Sequence, residues 1–398
     1  MKTKGRIKIL HIHTRACVGG SAYNTLYSMN GMPADVYEPM LISGPGGQFL
    51  ELVKKYNHKS FLAPFLRNPI NPLYDLISFL QLWWIIFMVK PDIVHTHNSK
   101  AGILGRWAAR VCGVKTVIHT LHGNVLIGRC MFIQKLYIFL ERLTGYITDH
   151  LIVISRDLEK LSIEKYGYKK DKISLIYSGI DAEKFMSEKD CGFLRKELDL
   201  PDNNIIVGCV GRLEDGKGHD VLINSTKKIY SIRKDIVFVC VGSGPLEMYL
   251  KKRVDMLGIK SCFKFMGTRH DIEKITRGFD IAAVPSRYEG MGRVYLEAMA
   301  SGKPVIGTRV GGIIDIIDDG KNGFLIPLEN FDELAEKILL LADDKSLRER
   351  MGENGRRKIN EDSLFGVWSN LLSGFINNIN SSCYTNIRTI GDKTCHLH

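Results

Sequence analysis

The sequence lacks most features of metal, redox and membrane-spanning proteins. Its nine cysteines are odd in number and include no Cys-x-x-Cys pair. That argues against a zinc site or a disulfide framework and for a reducing compartment. No Asp-x-Asp stretch is present to hold a divalent ion on a diphosphate, and no His/Asp cluster has ligand spacing. No metal or resident cofactor is therefore expected. Long apolar runs are also missing. The longest, Leu73 to Val89, is interrupted by Asp75, Ser78 and Gln81, and Pro91 follows it. Below about 18 unbroken apolar residues, a buried or interfacial helix is favoured over a membrane span. The opening MKTKGRIKILHIHT has too short an apolar run for a signal peptide and reads as a first buried strand.

What is present suits two α/β domains. The chain has 398 residues, 45% hydrophobic and 25% charged, with a net charge of +12. The excess is uneven: residues 1–185 carry 24 basic and 13 acidic side chains, whereas residues 186–362 carry 29 of each. The first half should therefore meet something anionic, such as nucleic acid, a lipid surface or a lipid pyrophosphate.

Short Val/Ile runs alternate with helical stretches, the pattern of parallel sheets covered on both faces. Strands are expected at Ile7–His13, Tyr37–Ile42, Asp92–Thr96, Thr116–Thr120, Leu151–Ile154 and Ile173–Tyr177. A polar linker over Ser178–Asn204 precedes a second series at Ile205–Val210, Ile236–Val241, Phe263–Met266, Ile281–Val284, Val305–Ile306 and Phe324–Ile326. The expected domains are 1–185 and 186–361, with a helix over 362–379 packing back on the first and a loose tail at 380–398. Two doubly wound sheets in tandem place their ligand at the carboxyl ends of the strands, in the cleft between domains.

Four places could carry chemistry. Gly19-Gly20 opens a helix after the first strand, where backbone N–H groups can approach a phosphate; a tight turn would need glycine anyway. Arg212 and Lys217 flank the turn after the first strand of the second domain, where two cations can neutralise a diphosphate. That loop, Gly211–Gly218, lacks the Lys-Ser/Thr pair of a Walker site. His95, His97, His119 and His122 lie at or near strand ends. His95 and His97 show no third ligand, while His122 could contact a sugar hydroxyl or stabilise charge. The fourth is SRYEGMGRVYLEAMASGKP, Ser286–Pro304, with Glu289 in a loop and Glu297 on a helix. Eight helical rises would separate the two carboxylates by about 12 Å, too far for one metal or a glycosidase acid pair and near the span between the sugars of a nucleotide-sugar. Two functionally unrelated carboxylates are the alternative.

These segments resemble the retaining family-4 glycosyltransferases of the GT-B fold. The match is collinear from Ile7 to about Arg357. It takes in the Gly-Gly turn, DIVHTHNSKAGILGRWAARVCGV, VIHTLHG, YSGID, GRLEDGKGHD, VGSGP, the Glu-x7-Glu block, GKPVIGTRVGG and DGKNGFLI. The resemblance implies a fold of two Rossmann-like domains facing each other across a cleft. It implies that Glu289 touches donor-sugar hydroxyls, Glu297 the ribose, and Arg212 and Lys217 the diphosphate, helped by Gly19 and Gly20 amides. His122 would lie beside the transferred sugar. The turn containing Thr268, Arg269 and Ile272 would frame the base, and backbone N–H groups of Met291, Gly292, Arg293 and Val294 would reach phosphate or sugar. Met291 stands where an aromatic residue is common, and the GMGRV version resembles members acting in polysaccharide or O-antigen assembly.

The implied activity is metal-independent transfer of a hexose or N-acetylhexosamine from a nucleoside diphosphate sugar, by default a UDP-sugar. The acceptor would be lipid-linked or a glycan, and the protein cytoplasmic and peripheral at an anionic membrane surface. Trp83, Trp84, Phe87, Phe132, Tyr137 and Phe139 could touch lipid or pack inside the domain. Alternatives are a nucleotide-sugar 2-epimerase of the same fold, which would need more carboxylates in the first half, and a basic nucleic-acid-binding protein, for which no recognition motif is seen.

Overall fold

The computed structural model describes residues 5–14, 19–68, 70–187 and 192–361. The helix expected over 362–379 and the tail over 380–398 lie outside the described residues. The described chain divides into two compact units. One is built from the residues through Val153 and from Leu161–Gly179; the other is built from Ile154–Lys160 and the residues from Ile180 on.

The first unit holds a seven-stranded sheet. Its strands are β1 (Ile7–His13), β2 (Tyr37–Ser43), β3 (Lys59–Leu62), β4 (Ile93–His97), β5 (Thr116–Leu121), β6 (His150–Val153) and β7 (Ile173–Leu175). They run in the order β3-β2-β1-β4-β5-β6-β7, with every pairing parallel. Sequence reading misses β3, because Lys-Ser-Phe-Leu is short and only part-buried at the sheet edge and carries little hydrophobic signal. Leu10, Ile12, Met40, Ile42, Val94 and Val117 of the sheet pack with Leu82 and Ile86 of one helix and Ala101 and Ala108 of the next.

The second unit holds six strands: β8 (Ile205–Val210), β9 (Ile236–Val241), β10 (Phe263–Phe265), β11 (Ile281–Val284), β12 (Val305–Thr308) and β13 (Gly323–Ile326). Their order is β10-β9-β8-β11-β12-β13, again all parallel. The polar stretch expected to be a linker carries two short helices, Ala182–Met186 and Phe193–Glu197. They form because Phe185 and Leu194 are buried, Leu194 against Ile206 and Phe279.

Both sheets have the doubly wound order 3-2-1-4-5-6, extended in the first by a seventh strand, β7. In each, the order reverses between the first and fourth strands, β1/β4 and β8/β11. Crevices beyond the carboxyl ends of strands at such switch points are where open α/β sheets take ligands.

Helices cover the sheets. Arg106, fully buried in the Ser99–Val111 helix, donates from Nη2 to both carboxylate oxygens of Glu141 at 2.9 and 2.8 Å. Thr148 and Tyr168 accept from its Nη1. This ties that helix to the Met131–Tyr146 helix, and removing either charge would cost about 3–5 kcal/mol.

The Pro72–Val89 helix departs from a buried reading. It is capped by Asn71, whose side chain accepts from the Tyr74 amide. It buries only Ser78, Leu82 and Ile86, a single stripe at spacing four. Leu73, Leu76, Leu80, Trp84, Phe87 and Met88 stand exposed. By length and composition the helix is apolar enough to cross a membrane. In the Met131–Tyr146 helix, Phe132 and Phe139 are exposed too. Of the aromatics singled out in the sequence, Trp83 alone packs against the core cluster, and Tyr137 is half-buried.

Candidate active site

In the second unit, β8 runs into the glycine loop and a single turn at Asp215–Lys217. Gly218 follows at φ +65, and a Cβ there would lie 1.9 Å from the Pro285 carbonyl oxygen. Only glycine lets this loop lie against the end of β11. The same approach brings Lys217 to Glu289: its Nζ bonds Glu289 Oε1, which also accepts from Ser286 Oγ at 3.1 Å. Both side chains are largely enclosed. Burial disfavours the Lys217 charge, but Glu289 outweighs it and raises the ammonium's pKa. Arg212 is different. It is exposed and faces Glu214 at 3.3 Å, so it is the more available of the two cations.

The Glu289 loop is held from behind. Thr308 Oγ1 donates to the Ser286 carbonyl, and the Gly312 amide donates to the Glu289 carbonyl at 3.3 Å. A Cβ on Gly311 would meet that carbonyl oxygen at 2.1 Å, and one on Gly312 would meet the Gly290 carbonyl oxygen at 2.3 Å. Ser286, Thr308, Gly311 and Gly312 are site-shaping residues that sequence reasoning gave no role. Their signal was the Gly-Gly after a strand, which by itself marks only a turn.

The helix after Glu289 begins later than the spacing argument assumed. It covers Arg293–Ala300, with Gly292 as N-cap at φ +88. Glu289 lies outside it, so helical rise does not set the distance between the two carboxylates. Glu297 is enclosed and pairs with Arg293 at 3.5 Å. Burial raises its pKa, and Arg293 opposes the rise. Met291 is buried, and Gly292, Arg293 and Val294 form the start of this helix, the end whose first-turn N–H groups point away from the helix body.

After β10, Thr268 shares a hydrogen bond with Ser243 at 2.7 Å. Arg269 is bound by Asp271 and Glu197, so its guanidinium is engaged on two sides. Ile272 opens the short helix that follows.

In the first unit, Gly19 is the extended N-cap of the Gly20–Asn30 helix, and an added Cβ would meet nothing within 4 Å. Beside it the ends of β1, β4 and β5 gather histidines. His11 Nδ1 lies 3.0 Å from His97 Nε2, and His97 Nδ1 lies 3.0 Å from His122 Nε2. His13 Nε2 is 3.2 Å from Ser21 Oγ, which also accepts from Asn98 Nδ2 at 3.4 Å. Asn98 holds φ +65, an uncommon conformation for a residue other than glycine, and its Oδ1 is buried without a partner among the described residues. His95 and His119 are fully buried within their strands, bonded to Thr120 and Thr96. Burial lowers the pKa of His11, His95, His97, His119 and His122; His11 and His122 fall to about 3.

Among the described residues, two groups bring potential metal ligands within 4.8 Å: His11, His95 and His97, and Cys209, His219 and Cys240. His11 is the third ligand that the His95/His97 spacing lacked, but both His97 nitrogens are already used in hydrogen bonds. Among the described residues the cysteine group stops at three ligands, whereas closed zinc sites have four.

Residues 192–358 match the family model of glycosyl transferases group 1, and residues 18–184 match that of glycosyltransferase family 4. A UDP-Gal:alpha-D-GlcNAc-diphosphoundecaprenol alpha-1,3-galactosyltransferase of Escherichia coli is 32% identical over 90% of this chain and 93% of its own. The capsular polysaccharide biosynthesis glycosyltransferase CapM of Staphylococcus aureus is 30% identical over 81% and 86%. Among solved structures, Anabaena HepE in complex with UDP and glucose superposes with a TM-score of 0.80 at 22% identity. It covers 94% of this chain and 100% of its own.

Proposed function

The chain belongs to the glycosyltransferases of the GT-B fold, group 1 and family 4, and from that premise we propose that it moves a hexose or N-acetylhexosamine from a UDP-sugar to a lipid-linked glycan acceptor, with retention at the anomeric carbon, in surface polysaccharide assembly. The observation that carries the donor half is the Lys217–Glu289–Ser286 constellation at the β8/β11 switch point. A diphosphate competes with Glu289 for Lys217 and recruits Arg212. Displaced from its partner, Glu289 becomes an acceptor for sugar hydroxyls. Glu297 takes the ribose, the Thr268–Ile272 turn frames the uracil, and the N–H groups at the Arg293–Ala300 helix start add to the phosphate field.

No carboxylate is assigned as base. In this reading the leaving phosphate oxygen takes the acceptor's proton as the new glycosidic bond forms on the same face. Metal is not assigned a role, since Lys217, Arg212 and backbone amides supply the counter-charge. The lipid side of the reading rests on the E. coli relative, whose name gives a diphosphoundecaprenol-linked acceptor, and on the exposed apolar faces of the Pro72–Val89 and Met131–Tyr146 helices. Those faces fit a peripheral position on an anionic bilayer.

The test is incubation with a panel of UDP-sugars and polyprenyl-diphosphate-linked sugars, with and without a chelator, read by mass spectrometry. Addition of one sugar mass in both conditions is expected. A strict metal requirement would contradict the assigned role of the cations.

A further inference from the structure

Cys209, Cys240 and His219 form a buried cluster in the second unit that the reading above leaves unused. Cys209 on β8 and Cys240 on β9 are register partners in the parallel ladder. Neighbouring strands lie about 4.8 Å apart and successive side chains alternate between faces, so the two thiols stand side by side. Ile206, Val237, Val239 and Val241 take the face packed on Leu194 and Phe279, and the alternation puts both cysteines on the other. His219 opens the 14-residue helix His219–Ile232 and brings its ring to the same place. One ligand atom from each of the three lies within 4.8 Å of the other two.

The cluster is enclosed and its polar groups are incompletely satisfied. Cys209 and Cys240 are fully buried, and His219 is 2% exposed. Both cysteines are free thiols. Neither ring nitrogen of His219 has a hydrogen-bond partner among the described residues. An imidazole carries a donor and an acceptor when neutral, and enclosing both unpaired is unfavourable. A bound ion is one of the few things that satisfies such a group. The His11, His95 and His97 group differs, because His97 spends both nitrogens on other imidazoles and His95 Nε2 bonds Thr120.

The donor set selects the ion. Thiolate and imidazole favour Cu(I) and Zn(II) over the oxygen-seeking Mg(II), Ca(II) and Mn(II). Zn(II) takes four protein ligands in a closed site, or three with a water in an open one. Here all three donors are enclosed, and among the described residues the group has no fourth. Cu(I) is a soft, closed-shell ion satisfied by three donors in a plane. Its binding releases one proton from each thiol, and the imidazole gives its lone pair and keeps its N–H. Two thiolates against one Cu(I) leave a net charge of minus one at the N-terminal end of the His219–Ile232 helix, where negative charge is favoured.

We propose that Cys209, Cys240 and His219 form a three-coordinate Cu(I) site in the core of the second unit. The site takes no part in the transfer reaction and does not rest on the function proposed above. His219 follows Lys217 by two residues, so a bond from its ring to the ion fixes the helix start beside the turn that carries Lys217.

The experiment is a titration of the full, reduced chain with Cu(I) in the absence of oxygen, against the chromogenic Cu(I) chelator bicinchoninate, followed by copper X-ray absorption on the loaded protein. One Cu(I) per chain is expected to be held, with two sulfurs and one nitrogen around it, and loading should raise the thermal unfolding midpoint. Cys209→Ala, Cys240→Ala and His219→Ala should each weaken binding by more than about 10-fold, since loss of an outer-shell partner alone costs about 10- to 100-fold. Cys112→Ser and Cys130→Ser, outside the cluster, should leave it unchanged. The absorption spectrum is read on the wild type, so it decides the matter even if a core variant fails to fold. No copper held, an all-sulfur shell, equal binding by the cluster variants, or Zn(II) bound in preference to Cu(I) would each overturn the proposal.

Discussion

Lys217 and Glu289 are 72 positions apart in sequence, and each is the other's main partner. The pairing matters because it makes both residues sensitive to a phosphate. Replacing either by alanine leaves a largely enclosed charge without its partner and removes a group from the charge-stabilising set. Turnover should fall by at least about 10²-fold in Lys217→Ala and in Glu289→Ala; wild-type rates in both would remove these assignments. Both residues were legible in the sequence, Lys217 from its glycine loop and Glu289 from the Glu-x7-Glu block. Their contact was not legible, because it depends on Gly218 letting two loops from distant parts of the chain touch. The histidine chain was half legible for a similar reason. His95, His97 and His122 are close in sequence and stood out, but His11 joins them only because β1 pairs with β4 in the register His11↔His95.

The same histidines set a pH dependence. Burial holds His11 and His122 at about 3, and His95, His97 and His119 are lowered as well. In the unfolded chain each titrates near 6.5. Below that value the unfolded state binds more protons than the folded one, so stability is full above about pH 7 and falls as pH drops from 6.5 toward 3. Each histidine kept neutral contributes up to about 1.4 kcal/mol per pH unit in that window. Denaturant midpoints at pH 7.5 and 5.5 check this: the midpoint should be lower at 5.5, and equal midpoints would contradict the burial argument.

At the scale of elements, the Pro72–Val89 helix is the part whose composition and placement matter most. Its sequence is apolar on every side, which periodicity alone cannot assign to core, interface or bilayer. The structure resolves the inner stripe and leaves the rest uncovered. If that face meets lipid, the full chain should sediment with vesicles containing anionic lipid. The Trp84→Glu/Phe87→Glu pair should weaken that binding by about 10-fold or more, since each ring removed from an apolar phase costs on the order of 1.5–3 kcal/mol. Far-UV circular dichroism should be unchanged, because both side chains are at least half exposed. Equal vesicle binding by wild type and variant would contradict the peripheral reading. Other elements escaped the sequence for plain reasons. β3 is a short edge strand with little apolar content, and the helices at Ala182–Met186 and Phe193–Glu197 are too short for a period to be seen.

For the whole molecule, the alternation of Val/Ile runs with helices was enough to read two doubly wound sheets, because fully buried parallel strands leave that pattern in any sequence. The chirality and connection rules of such sheets leave a handful of strand orders, and the pairings of the structure select the one that sets the two switch points. What the chain does with that frame depends on a few side chains at the β8/β11 and β1/β4 ends, where composition is silent. The central claim is that these ends serve sugar transfer from a UDP-sugar to a lipid-diphosphate-linked acceptor. It is tested most directly by mass spectrometry of the lipid fraction after incubation with UDP-hexoses and UDP-N-acetylhexosamines. The account predicts that one donor is consumed, UDP is released, and the acceptor gains the mass of a single sugar. No donor consumed with any acceptor in the panel would contradict it.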